Sequence, residues 1–165
     1  MNFSSLTEYF YKLYNICLAL MIVPVACFLY LYQSAATNQL APALFNGATA
    51  NMILFVFGGF EILFLTIVHW LMRLKLRALA KEESLGVRLE KYVQVAALRF
   101  GFTVALCLAV SLGFYITHHP YFAICFVTII LWSVWIWPTP NRVCQDFKLR
   151  GDEKKMVLSK GDAFN

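Results

Sequence analysis

The sequence predicts an all-α membrane protein. The expected architecture is a four-helix transmembrane bundle with both termini in the cytoplasm, a short helical hairpin projecting inward and an amphipathic C-terminal tail. Three observations lead there. Hydrophobic residues make up 61% of the 165 positions and charged residues 14%, against about 45–50% and about 25% in a soluble domain. The apolar residues gather into four long stretches, at 13–32, 50–72, 93–116 and 121–137. Lys and Arg outside those stretches crowd into alternate connections. The spans form one domain, 1–138, and residues 139–165 form a tail.

The first element opens with Ser5-Leu6-Thr7-Glu8, a capping-box pattern that starts a helix near Leu6. Tyr9, Phe10, Tyr11 and Tyr14 follow as an aromatic collar at headgroup depth. Stretch 13–32 holds no charge, and Pro24 inside it frees the carbonyl of Leu20 and predicts a bend. Ser34-Ala35-Ala36 resembles a signal-peptide cleavage site. The apolar run is longer than a usual signal core, however, and Lys12 is offset by Glu8, so the segment reads as a retained span. The connection that follows is polar and uncharged, with Pro42 and Gly47 as breakers.

The second stretch contains Glu61 and His69, and the third contains Arg99. Between them, Met72, Leu76, Leu79 and Ala80 continue the helical spacing of the second, while Leu85, Leu89, Tyr92, Val93 and Ala96 lead into the third. Both helices therefore project past the bilayer and turn between Lys81 and Gly86. The fourth stretch is the shortest and ends at Trp132, Trp135 and Trp137 before Pro138-Thr139-Pro140. Thr139 is an N-cap and Pro140 suits the first helical position, so residues 141–150 read as a helix with Val143, Cys144 and Phe147 on one buried face and Gly151 closing it. Asp152 caps a further short piece ending at Gly161.

The charges set the expected orientation. Arg73, Lys75, Arg77, Lys81, Arg88 and Lys91 lie in the middle connection, and Arg142, Lys148, Arg150, Lys154, Lys155 and Lys160 follow the last stretch. The segment from Gln33 to Gly47 has none, and the turn at 117–120 has only His118 and His119. The positive-inside rule then puts both ends and the middle connection in the cytoplasm, as in a multi-pass inner-membrane protein. The net charge of +5 follows from those inside segments and gives no case for nucleic acid. The expected partners are the lipid bilayer, anionic headgroups on the cytoplasmic side, and other membrane subunits or further copies of the chain. Arg73, Lys75 and Arg77, with Val143, Cys144 and Phe147, are the candidate lipid or partner contacts.

The motif search points away from catalysis. The sequence holds no P-loop, G-x-S-x-G, H-E-x-x-H or dinucleotide fingerprint, and no cofactor is expected. The five cysteines, Cys17, Cys27, Cys107, Cys125 and Cys144, include no C-x-x-C pair, and no disulfide framework follows. His118-His119 lacks a nearby third ligand, so no metal site is expected. Gly58-Gly59 permits close helix approach without a G-x-x-x-G pattern. Thr66, Thr103 and Ser111 can bond neighbouring helices or their own backbone.

Glu61 and Arg99 are the informative residues, because an ionisable side chain in a bilayer is costly unless paired or hydrated. At about 1.5 Å per residue, Glu61 lies about 17 Å and Arg99 about 10 Å from the inner end of their helices. That offset is within reach of an arginine, so an intramembrane Glu61–Arg99 pair between adjacent antiparallel helices is expected, with His69, Thr66 and Thr103 as polar neighbours. The function expected from all this is non-enzymatic: an accessory, assembly or scaffold subunit of a larger membrane complex. The alternative is a small homo-oligomeric transporter or channel that uses Glu61 for proton or cation coupling.

Overall fold

The computed structural model describes residues 5–45, 47–82 and 84–159. These residues contain six helices and no strand: α1 (Leu6–Ala36), α2 (Ala48–Leu79), α3 (Leu85–Thr117), α4 (Tyr121–Trp135), α5 (Pro140–Asp146) and α6 (Gly151–Ser159). Three of them, α1, α2 and α3, are long and apolar enough to cross a membrane, and a fourth crossing exists only if α4 and α5 are taken together. The chain is thus a helical protein of three to four candidate spans.

Local sequence sets the ends of these helices. Ser5 Oγ accepts the Glu8 amide at 3.3 Å, and α1 starts at Leu6 as the capping pattern requires. Pro24 sits within α1 without ending it. α3 stops where His118 turns left-handed (φ 50°) and its amide returns to the Phe114 carbonyl. The Thr117 hydroxyl takes the next amide, that of His119, and Pro120 precedes α4.

α4 departs from expectation. It ends at Trp135 rather than Trp137 and has 15 residues, about 22 Å at 1.5 Å per residue, short of a ~30 Å hydrocarbon layer. Ile136, Trp137 and Pro138 break the axis, and α5 leaves at 81° to α4. Prolines at 138 and 140 cannot supply the amides that would continue the helix.

α3 is the hub. α1, α2 and α4 each pack mainly against it, α2 touches α4 only slightly, and α1 and α2 scarcely meet. Burial follows: 15 residues of α3 are buried against 6 of α2. The core stripe of α2 runs Glu61, Leu65, Val68, Met72, Leu76, a single helical face. α3 buries one broad sector, from Leu106 and Arg99 at one edge through Tyr92, Ala96, Thr103, Cys107, Val110 and Phe114 to Val93 and Phe100 at the other.

The two ends of the bundle differ. At one, the Leu44 amide bonds the Ile116 carbonyl at 2.9 Å and His119 Nε2 meets Asn51 Oδ1 at 3.0 Å, tying the α1–α2 connection to the end of α3 and the start of α2 to the α3–α4 turn. Neither connection carries a charged residue. Just inside, Phe28 stacks on Phe126 with ring centroids 4.1 Å apart, and Phe114 packs beside them. Gly113 makes room for the fully buried Phe122 ring, since a Cβ there would lie 2.4 Å from it. The opposite end gathers the start of α1, the α2–α3 turn, α5 and α6, and it is strongly basic.

Candidate functional site: a cationic cavity and a separate buried glutamate

Arg99 lies on a buried face of α3, about two turns beyond Tyr92, and is 6% exposed. The α5 segment sits beneath it. Thr139 caps α5 by accepting the Arg142 amide at 3.2 Å, with Pro140 in the first turn. Val143, Cys144 and Phe147 are all buried, and Phe147 packs on Tyr92 at 5.5 Å between ring centroids. Burial pushes the Cys144 thiol up from its ordinary range, with the Lys154 ammonium pulling partly back. This docks the polar side of α5 toward the ends of α2 and α3.

The expected span of the tail helix is corrected in one respect. α5 ends at Asp146, and Lys148, at φ 52°, makes the left-handed turn, with the Leu149 amide bonding the Cys144 carbonyl at 2.9 Å. Phe147 and Leu149 are both buried, and a continuing helix would place two residues so spaced on different faces. Gly151 opens α6 rather than closing α5. The expected stop at Gly161 lies outside the described residues.

Between α2, α3 and α5 lies a cavity of about 320 Å³. Its wall carries Arg73, Arg77, Arg99, Arg142 and Lys148 and a single carboxylate, Asp146. Asp146 is already engaged. Tyr92 donates its hydroxyl to Oδ2 at 3.2 Å, and Arg142 Nε faces Oδ1 at 3.5 Å. The Arg142 guanidinium also lies over the Trp135 ring at 5.1 Å. His69 reaches the cavity from α2, packed against Trp132 and Trp135, with Nδ1 3.5 Å from Arg99 Nη2. Among the described residues no carboxylate lies within 4.0 Å of Arg73, Arg77, Arg99 or Lys148.

The structure does not bring Glu61 and Arg99 together. Glu61, 4% exposed, takes its hydrogen bond from the Cys125 thiol of α4 and has Cys107 of α3 as a neighbour. Arg99 turns toward the basic end, where Asp146, Tyr92, Arg142 and Arg73 surround it electrostatically. The expected pair rested on depth alone. α3 presents its Cys107 side to Glu61, and the fold-back of α5 offers Arg99 polar surroundings that a bare pair of spans lacks. Thr66 and Thr103 join neither group: each hydroxyl donates to the carbonyl four residues earlier, Ile62 at 2.7 Å and Arg99 at 3.1 Å. Lys75 is exposed and stands off the cavity.

Sequence reasoning missed Asp146, Tyr92 and the placement of Arg142. One signal was present, an acid four residues after Arg142 on a short capped helix, the spacing of a helical ion pair. No group of three or more His, Cys, Asp or Glu among the described residues is placed to hold a metal. No family model matches the chain, and neither the curated proteins nor the solved structures provide a match.

Proposed function

We propose that the chain is a four-span membrane protein with both termini in the cytoplasm, working by association rather than catalysis as an accessory, assembly or scaffold subunit of a larger membrane complex. The observation that carries this reading is the uncovered side of α2. Phe55, Ile62 and Trp70 are 79%, 71% and 61% exposed, and between them Gly58 and Gly59 leave open space where a Cβ would stand. Apolar ridges around a flat glycine notch suit a second helix, because close backbone approach drives association where lipid is as apolar as the side chains. The four-span reading takes 121–137 as the fourth crossing, with α5 turned aside at the basic end, and that end as the cytoplasmic one.

Two experiments test it. Reporter fusions after Asn165 and within 81–86 are expected to report cytoplasm, and fusions at 37–46 and at His118 the outer side; an outward 81–86 segment overturns the orientation. Extraction in mild detergent is expected to bring down a stoichiometric foreign subunit, and Gly59→Leu is expected to release it. A lone monomer that behaves identically with and without the substitution sinks the association reading.

A second reading, proton- or cation-coupled transport by a self-assembled oligomer, is favoured by Glu61. A carboxylate 4% exposed, with a thiol and no cation at hand, is the kind of group that exchanges protons within a membrane. This reading expects a homo-oligomer whose flux depends on pH and loses that dependence in Glu61→Gln. Flux unchanged by the substitution rules it out.

A further inference from the structure

We infer that the cavity between α2, α3 and α5 is a binding site for a phosphate-bearing anion, with Arg99 at its floor and Arg73, Arg77, Arg142 and Lys148 around it. Five cationic side chains face one carboxylate. That carboxylate holds Tyr92 on one oxygen and Arg142 on the other, so it positions the wall and leaves the remaining cations uncompensated. Arg99 decides the matter. It is more than nine-tenths buried, it lines the cavity, and the only hydrogen-bonding neighbour of its guanidinium among the described residues is His69, at the outer limit of such a contact. A guanidinium removed from water with no carboxylate in direct contact is costly, and an anion in the cavity offsets that cost.

Phosphate suits the wall better than a carboxylate. Four planar guanidinium forks approaching from three helices match a tetrahedral group with several oxygens, whereas a flat carboxylate is saturated by one or two. The volume lies at the small end of the range for ligand pockets, about 300–1,000 Å³, ample for one phosphate group. Two sources share this chemistry: a lipid headgroup at the membrane surface and a soluble phosphate. The inference is independent of whether the chain assembles or transports, and it rests on the membrane reading only for the lipid source.

The full chain is tested with two probes. In the first, the protein is purified from nanodiscs of phosphatidylcholine doped with phosphatidic acid, and retained lipid is counted by native mass spectrometry. In the second, inorganic phosphate is titrated in detergent against chloride at constant ionic strength, and the thermal midpoint is followed. Wild type is expected to enrich phosphatidic acid over phosphatidylcholine by about tenfold or more, or to be stabilised by inorganic phosphate, and the responding probe identifies the source. Arg99→Gln is expected to abolish the response. Arg73→Gln, an exposed wall position that leaves the core untouched, is expected to weaken it severalfold and guards against a folding defect in the first variant. Lys75→Gln, on α2 but off the cavity, is expected to respond as wild type does. Silence from both probes overturns the site. So does equal loss in Lys75→Gln and Arg73→Gln, which reduces the effect to general surface charge. Because the phosphate arm needs no bilayer, a response there survives failure of the membrane reading.

Discussion

The two ends of this bundle solve opposite problems. The uncharged end is sealed: Phe28, Phe114, Phe122 and Phe126 fill it, a glycine yields its side-chain space to one ring, and two backbone or side-chain hydrogen bonds close the turns. The basic end is left open, with a buried arginine facing a cavity and one aspartate shared by two partners. Close packing supplies stability where no transfer energy is to be gained from lipid, while an unfilled polar space costs stability and persists where something is bound. The inferred anion site thus lies at the end opposite the densest packing.

That contrast is easiest to break with substitutions read by thermal or denaturant unfolding in detergent. Phe122→Ala is expected to be the most damaging, at about 3 kcal/mol, the low end for a buried phenylalanine because lipid supplies no transfer term. Gly113→Ala comes next, at about 2 kcal/mol, since the new methyl must displace a ring with nowhere to move. Were Gly113→Ala neutral, the sealed end would be looser than its packing implies. At the open end Thr139→Ala is expected to cost about 1 kcal/mol by removing the cap of α5, with Cys144 becoming more accessible to a thiol reagent as the helix loosens. The smallest effects are expected from Glu61→Gln and Arg99→Gln, each within about 1 kcal/mol of wild type or stabilising, because neither strands an opposite charge. A loss of about 3–5 kcal/mol in either single variant, recovered in the double variant, would mean that the two are paired after all.

The sequence was informative wherever one helix could be read alone. The start of α1 at Leu6 and the burial of Val143, Cys144 and Phe147 follow from caps and helical period. It was silent where a residue's fate depends on rotation about a helix axis. Depth along α2 and α3 made Glu61 and Arg99 neighbours, but depth does not fix rotation, and Cys107, which meets Glu61, stands about 80° round α3 from Arg99. Nor was the 81° angle between α4 and α5 legible, although the prolines marked the break and the bend is what lays α5 under Arg99. The spacing of Arg142 and Asp146 could signal their ion pair, but Asp146 meets Tyr92 only through that fold-back, which no local pattern could have assigned.

The hub position of α3 also bears on how the chain is made. During synthesis α1 and α2 emerge first, yet they scarcely touch each other. Each must wait in the lipid for the helix that both of them grip, a pause of a few seconds at about 5–20 residues per second. In that interval Glu61 has neither Cys107 nor Cys125 beside it. A chain truncated in the α2–α3 turn is expected to insert two helices that never associate and to be cleared by membrane proteases, whereas one truncated after α3 is expected to persist longer, as pulse-chase labelling would show. On this expectation the third helix is the one whose arrival turns two waiting segments into a structure.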